Sequence, residues 1–332
     1  MPYLGVRGHV DSGVSQFHRP FHDDSYPSKF CGFSDGTSNA PPPLYGDRME
    51  HVESSFVGVH GTRIVYDVWT PENAPTGVLV LAHGLAEHAG RYRHVIERLG
   101  GLGLVVYAPD HRGHGRSGGK RVSLEKWSDF TDDLHTLFGV AAADHPNQRT
   151  FLLGHSMGGA IALSYALDHQ TDLDGLMLSG PAVVPSVGQP KALVAVGKIL
   201  GRLVPAAPVL KLDPNLVSRD KSVVDAYVAD PLGYHGSVSA GLAAAMLGVG
   251  ETFPARLPSL TIPVLLQHGT ADRLADVSGS DLIADLAGSD DLTLKKYDGL
   301  FHEVFNEPEK ERVLDDLIDW LRPRVHTGAV SS

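Results

Sequence analysis

Gly154-His155-Ser156-Met157-Gly158 sets one hydroxyl between two glycines, after the apolar run Phe151-Leu152-Leu153 and before the small residues Gly159, Ala160 and Ala162. Glycines at these places permit a sharp turn from a strand into a helix, and that turn pushes the serine oxygen out over a sheet. A serine hydroxyl is a weak nucleophile at neutral pH, so it needs a base to take its proton and a third group to orient that base. G-x-S-x-G alone arises often by chance. The strand before it and the small-residue helix after it make an ordinary turn serine the weaker reading.

Where such a turn tops a mainly parallel sheet, the acid and then the base follow it in chain order. The apolar stretch Val264-Leu265-Leu266-Gln267 runs into His268-Gly269-Thr270-Ala271-Asp272, which places Asp272 in the loop directly after a strand; Asp276 is a near rival, and a helix-capping role is the competing reading for Asp272. Leu300-Phe301-His302-Glu303 places His302 in the corresponding loop after the last strand. His268 reads as a strand-end histidine packed beneath the site, and Asp298 as a turn residue before Gly299. Acyl transfer also needs N–H donors aimed at the developing oxyanion. One is the backbone N–H of Met157 at a helix N-terminus. The second is expected in the loop His83-Gly84-Leu85-Ala86-Glu87-His88, where the residue after Gly84 assigns it to the Leu85 N–H; His83 reads as a buried structural histidine.

No cofactor is expected. The chain has 18 histidines but no His-Glu-x-x-His, so metal catalysis is set aside. The loop Asp110-His111-Arg112-Gly113-His114-Gly115-Arg116-Ser117 lacks a phosphate-cradling G-x-x-x-x-G-K-[ST] pattern, and turn geometry accounts for its glycines.

The elements that must hold these residues can be read from periodicity. Residues 56–59 and 64–69 flank the turn His60-Gly61-Thr62 and predict an antiparallel hairpin. Short apolar runs at 78–82, 104–108, 150–153, 176–178, 263–267 and 292–297 then alternate with helical patterns near 92–99, 124–143, after Ser156, 278–287 and 308–321. Alternating βαβ units with nearly continuous apolar strands imply a parallel sheet covered on both faces. Residues 181–256 break this rhythm. Their composition is helical, and they are expected to form a cap above the sheet's C-terminal edge, where α/β sheets bind ligands. Within them, Lys191, Lys198 and Arg202 share one side of a helix and Leu193, Val196, Ile199, Leu200, Leu203 and Val204 the other. Such a helix can lie at a lipid surface or bury its apolar side on the protein.

Bulk properties bound the remaining possibilities. The 332 residues, 42% hydrophobic, suffice for one catalytic domain over residues 49–325, and no linker is visible after Pro41-Pro42-Pro43. Residues 1–48 show neither helical nor strand period and read as a disordered extension, with 326–332 a flexible tail. The formal charge of −11, without a basic block, argues against nucleic acid and anionic bilayers as general partners. One cysteine, Cys31, excludes an internal disulfide and a cysteine zinc site. No secretory signal and no run of roughly 20 apolar residues is seen. A cytoplasmic or peripherally membrane-associated protein is expected.

The loops His83-Gly84-Leu85-Ala86-Glu87-His88-Ala89-Gly90-Arg91-Tyr92 and Asp110 to Ser117, the turn Gly154 to Gly159, and His302-Glu303 together resemble monoacylglycerol lipases of the α/β-hydrolase family, bacterial members above all. The likeness runs from about Phe56 to Leu321 and includes Ser218-Arg219-Asp220 and Tyr227 to Leu232 in the cap. It implies an α/β-hydrolase fold with a helical cap, a Ser156, Asp272 and His302 triad, and a one-chain glyceride ester as substrate. It also implies that Glu87, Arg91 and Tyr227 surround the polar end of the pocket that receives glycerol. The cap has no cysteine, unlike mammalian members, so thiol-directed inhibition there is not expected. A general carboxylesterase, a lysophospholipase, a thioesterase and a ligand receptor without useful turnover stay open as alternatives.

Overall fold

The computed structural model describes residues 49–124, 126–183 and 201–326. The expected N-terminal extension, the greater part of the basic and apolar cap helix through Lys191 and Lys198, and the tail after His326 lie outside the described residues.

β1 (Glu50–Val57) and β2 (Arg63–Thr70) form the expected antiparallel hairpin, with Phe56 opposite Ile64. At its bend His60 takes φ 56°, a left-handed conformation that a turn demands. β3 (Gly77–Ala82), β4 (Leu104–Pro109), β5 (Thr150–His155), β6 (Gly175–Ser179), β9 (Val264–Gly269) and β10 (Leu292–Tyr297) are parallel, while β2 joins β4 antiparallel. The order across the eight-stranded sheet is β1-β2-β4-β3-β5-β6-β9-β10.

The strands read as unbroken apolar runs because both faces are covered. Val78 and Val80 of β3 join one core with Phe130, Leu134, Ile161 and Ile283, contributed by α2 (Ser128–Asp144), α3 (Met157–His169) and α7 (Ser278–Leu286). Leu79 and Leu81 point the other way, into a second core with Val95, Ile96, Leu314 and Leu317 of α1 (Arg93–Gly100) and α8 (Lys310–His326). Alternation along one strand thus feeds two layers.

Two expectations are adjusted. The second helix starts at Ser128 rather than near Leu124, because Val122 and Leu124 are buried against the cap: the Ser239 amide donates to Val122 O, and Gly241 sits against Leu124 O. The segment between β6 and β9 is not wholly helical. Besides α4 (Lys221–Ala229), α5 (Ala240–Gly250) and α6 (Phe253–Arg256), it holds a small antiparallel pair, β7 (Pro208–Leu210) with β8 (Val238–Ser239). Among the described residues no helix is long and apolar enough to cross a membrane.

Candidate active site

Ser156 stands between β5 and α3 with φ 55° and ψ −118°, a conformation rarely adopted by residues with a Cβ and one that costs about 1–3 kcal/mol unless its surroundings impose it. Here they do. The Ser156 amide donates to Ser179 O at 3.0 Å, while Ser156 O accepts from Ala160 N and Ala182 N at 3.1 and 3.0 Å. The flanking glycines have no room for a side chain: a Cβ on Gly154 would lie 2.4 Å from Gly158 O, and one on Gly158 would lie 2.1 Å from Ala82 O. The glycines of the G-x-S-x-G pattern are therefore a packing requirement, while the left-handed backbone of the turn falls on Ser156 itself.

Asp272 follows the end of β9 and His302 follows the end of β10, so adjacent parallel strands deliver both to the same edge as Ser156. His302 Nδ1 donates to Asp272 Oδ2 at 2.6 Å, and His302 Nε2 lies 2.8 Å from Ser156 Oγ. With the proton of the neutral ring on Nδ1, facing the carboxylate, the Nε2 lone pair is free to accept from the serine hydroxyl. Burial opposes a charge on His302, but the Asp272 charge and hydrogen bond outweigh it and raise its pKa above 6.5. Burial likewise opposes ionisation of Asp272. The His302 charge, with hydrogen bonds from His268, His302 and the Ala275 amide, overcomes it and holds the carboxyl well below the usual range. Asp272 Oδ1 also accepts from the Leu274 and Ala275 amides at 2.8 and 3.0 Å.

The rival readings separate cleanly. Asp276 accepts from the Ser278 amide at the start of α7. His268 is buried, its Nε2 facing Asp272 Oδ2 and Ala275 O at 3.1 Å each and its Nδ1 meeting Ser280 Oγ at 2.7 Å. With two acceptors before it, Nε2 carries the proton, so His268 steadies the acid from beneath. His83 is wholly buried, its Nδ1 on Gly84 O and its Nε2 accepting from the His111 amide, and Asp298 accepts from the Thr270 hydroxyl.

The loop after β3 passes over Ser156: a Cβ on Gly84 would lie 3.2 Å from Ser156 Cβ. The Gly84 amide is committed to Glu87 Oε1. The Leu85 and Met157 amides make no hydrogen bond among the described residues.

Glu87, Tyr227 and Glu303 line the pocket that opens on Ser156 and His302, with Leu85, Leu212, Val217, Met246 and Leu274 supplying apolar wall. Arg91 stands behind it. Its Nη1 donates to Glu87 Oε2 at 2.5 Å and to Glu303 Oε1 at 2.7 Å, its Nη2 to Glu303 Oε2 at 2.8 Å, and its guanidinium lies 4.8 Å from the Tyr227 ring centre. Burial raises the pKa of Glu87, but the Arg91 charge foremost reverses this and keeps the carboxyl below its ordinary value. Two pocket residues escaped assignment from sequence. Glu303 was visible only as the neighbour of His302. His155, within the turn itself, packs its ring 4.7 Å from that of His302 and is held neutral, its pKa lowered to about 4 by burial and then by the His302 charge. The cap and the loop after β3 are tied together: His88 Nε2 bonds Asp230 Oδ2 at 2.7 Å, and the Tyr234 amide donates to Ala86 O at 2.9 Å.

Residues 73–309 match the family model Hydrolase_4, described as serine aminopeptidase, S33. The chain is similar to the monoacylglycerol lipase of Mycolicibacterium smegmatis, with 55% identity over 82% of this chain and 97% of that protein. It is 34% identical to the monoglyceride lipase of Homo sapiens over 83% of this chain and 92% of that one. Among solved structures, Paleococcus ferrophilus monoacylglycerol lipase superposes with a TM-score of 0.70 at 31% identity, covering 83% of this chain and 99% of that chain. The sheet order, the covering helices and these likenesses identify the architecture as an α/β-hydrolase fold.

Proposed function

The chain belongs to the Hydrolase_4 family of α/β-hydrolases, and from that premise we propose that it hydrolyses monoacylglycerols to glycerol and fatty acid through an acyl-enzyme on Ser156. The observation that carries this reading is the continuous relay from Asp272 through His302 to Ser156, at 2.6 and 2.8 Å, opening into a pocket with one polar and one apolar side.

His302 Nε2 takes the proton of Ser156 as Oγ attacks the ester carbonyl, and Asp272 holds the ring and stabilises its charged form. The Leu85 and Met157 amides receive the oxyanion, each worth roughly 3 kcal/mol in the transition state. As the tetrahedral intermediate collapses, His302 returns the proton to the glycerol oxygen. Water, deprotonated by the same nitrogen, then attacks the acyl carbonyl and frees the fatty acid. Glu87, Tyr227 and Glu303 offer hydrogen-bonding groups to the glycerol hydroxyls, with Arg91 balancing the two carboxylates from behind. The acyl chain takes the side walled by Leu85, Leu212 and Met246. Exposed Leu203, Val204, Val209 and Leu210 on the cap support peripheral contact with a lipid surface, from which a one-chain ester could be drawn.

Mono-, di- and triacylglycerols competing in one assay should show strong preference for the monoacylglycerol, with Ser156→Ala abolishing turnover. Equal use of all three, or faster cleavage of a lysophospholipid or thioester in the same assay, would replace the substrate assignment. Retention of more than a trace of activity in Ser156→Ala would remove the mechanism itself.

A further inference from the structure

His135 lies on α2 and His169 closes α3, and their imidazoles stack with centres 4.6 Å apart and planes 19° from parallel. Asp172 follows in the 3-10 turn Gln170–Asp172, and one ligand atom from each of the three side chains lies within 4.8 Å of the others. The hydrolytic chemistry uses none of them. α3 has 13 residues, so at about 1.5 Å per residue its far end stands roughly 20 Å from Ser156.

We propose that His135, His169 and Asp172 form a binding site for a first-row divalent transition metal ion such as zinc, which clasps α2 to the end of the helix that carries the nucleophile. Two imidazoles and one carboxylate, with a fourth position open to water, suit zinc and its neighbours, whereas magnesium and calcium prefer oxygen donors throughout. Tetrahedral coordination at about 2.0 Å brings ligand atoms to roughly 3.3 Å from one another, which the partly exposed side chains reach by small rotations. The second nitrogen of one ligand already has its partner. His135 Nδ1 meets the Tyr165 hydroxyl at 3.3 Å, which leaves Nε2 for the ion and orients the ring. Tyr165 is itself buried and stacks on Phe138 at 4.5 Å, so the wall behind the site is rigid. His169 ends its helix, where the unpaired carbonyls favour a cation. Thr171 takes only one Asp172 oxygen, Oδ1, at 3.4 Å.

Zinc titrated calorimetrically into the full-length protein should bind in the micromolar range at this site and raise the melting temperature, and magnesium or calcium should do neither. His135→Ala and His169→Ala should each weaken zinc binding at least tenfold while leaving metal-free ester turnover unchanged. If the double variant binds zinc as the parent does, the ion is held by other histidines and the proposal fails; it fails equally if the parent binds none below about 100 µM. Should an alanine variant fold poorly, Asp172→Asn at an exposed position gives the same reading, with undiminished affinity overturning the site.

Discussion

Asp272 is a buried carboxyl that remains ionised because His302, His268 and two backbone amides converge on it. That charge in turn raises the His302 pKa. Since the base works only when neutral, activity should rise with pH through a midpoint above 6.5 and be lost as pH falls below it. Asp272→Asn removes the raising influence and the grip on the tautomer together. We expect kcat to fall by about 10⁴, and the acid limb of the kcat/KM profile to move to lower pH. An unmoved acid limb would assign the titration to another group. Ser156, Asp272 and His302 could be nominated as a set from local chemistry and chain order, and the fold brings their side chains within hydrogen-bond distance. For Arg91 the resemblance implies a place around the glycerol end but not its partners: its guanidinium joins Glu87 to Glu303, and the second of these lies 212 residues away in sequence.

Among elements, the turn between β5 and α3 carries the tightest constraint. Gly158 lets the helix approach so closely that any side chain would collide with the Ala82 and His83 carbonyls, both backbone and neither able to rotate away. Gly158→Ala should therefore cost about 3 kcal/mol or more by overpacking and displace the Met157 amide, lowering kcat along with the urea midpoint. A variant as stable and active as the parent would show that this turn has slack. The strands and their flanking helices followed from periodicity, since a strand buried on both faces must be apolar throughout. The early start expected for α2 failed for a physical reason: Val122 and Leu124 are apolar because the cap covers them, and a linear pattern cannot tell a helix face from a loop buried by a distant segment.

At the scale of the whole molecule, a formal charge of −11 and a cap with exposed Leu203, Val204, Val209 and Leu210 act in opposite senses at a membrane. Repulsion disfavours anionic surfaces while apolar insertion favours uncharged ones. Co-sedimentation should therefore be stronger with zwitterionic vesicles than with anionic ones at low salt, and the pair Leu203→Glu and Leu210→Glu should reduce it without lowering turnover of a soluble short-chain ester. Equal binding by parent and variant would move the contact elsewhere.

The amino-acid sequence by itself determined the two-layered α/β architecture, which rests on a repeating period, and from neighbours in the chain it nominated the serine, the order of acid and base and the loop after β3. Only the tertiary structure decided that Asp272 rather than Asp276 meets His302, that Arg91 joins Glu87 to Glu303, and that His135 stacks on His169 beside Asp172. Those are distances between separate elements, and they are set by how the helices and loops pack on the sheet, which no local pattern encodes.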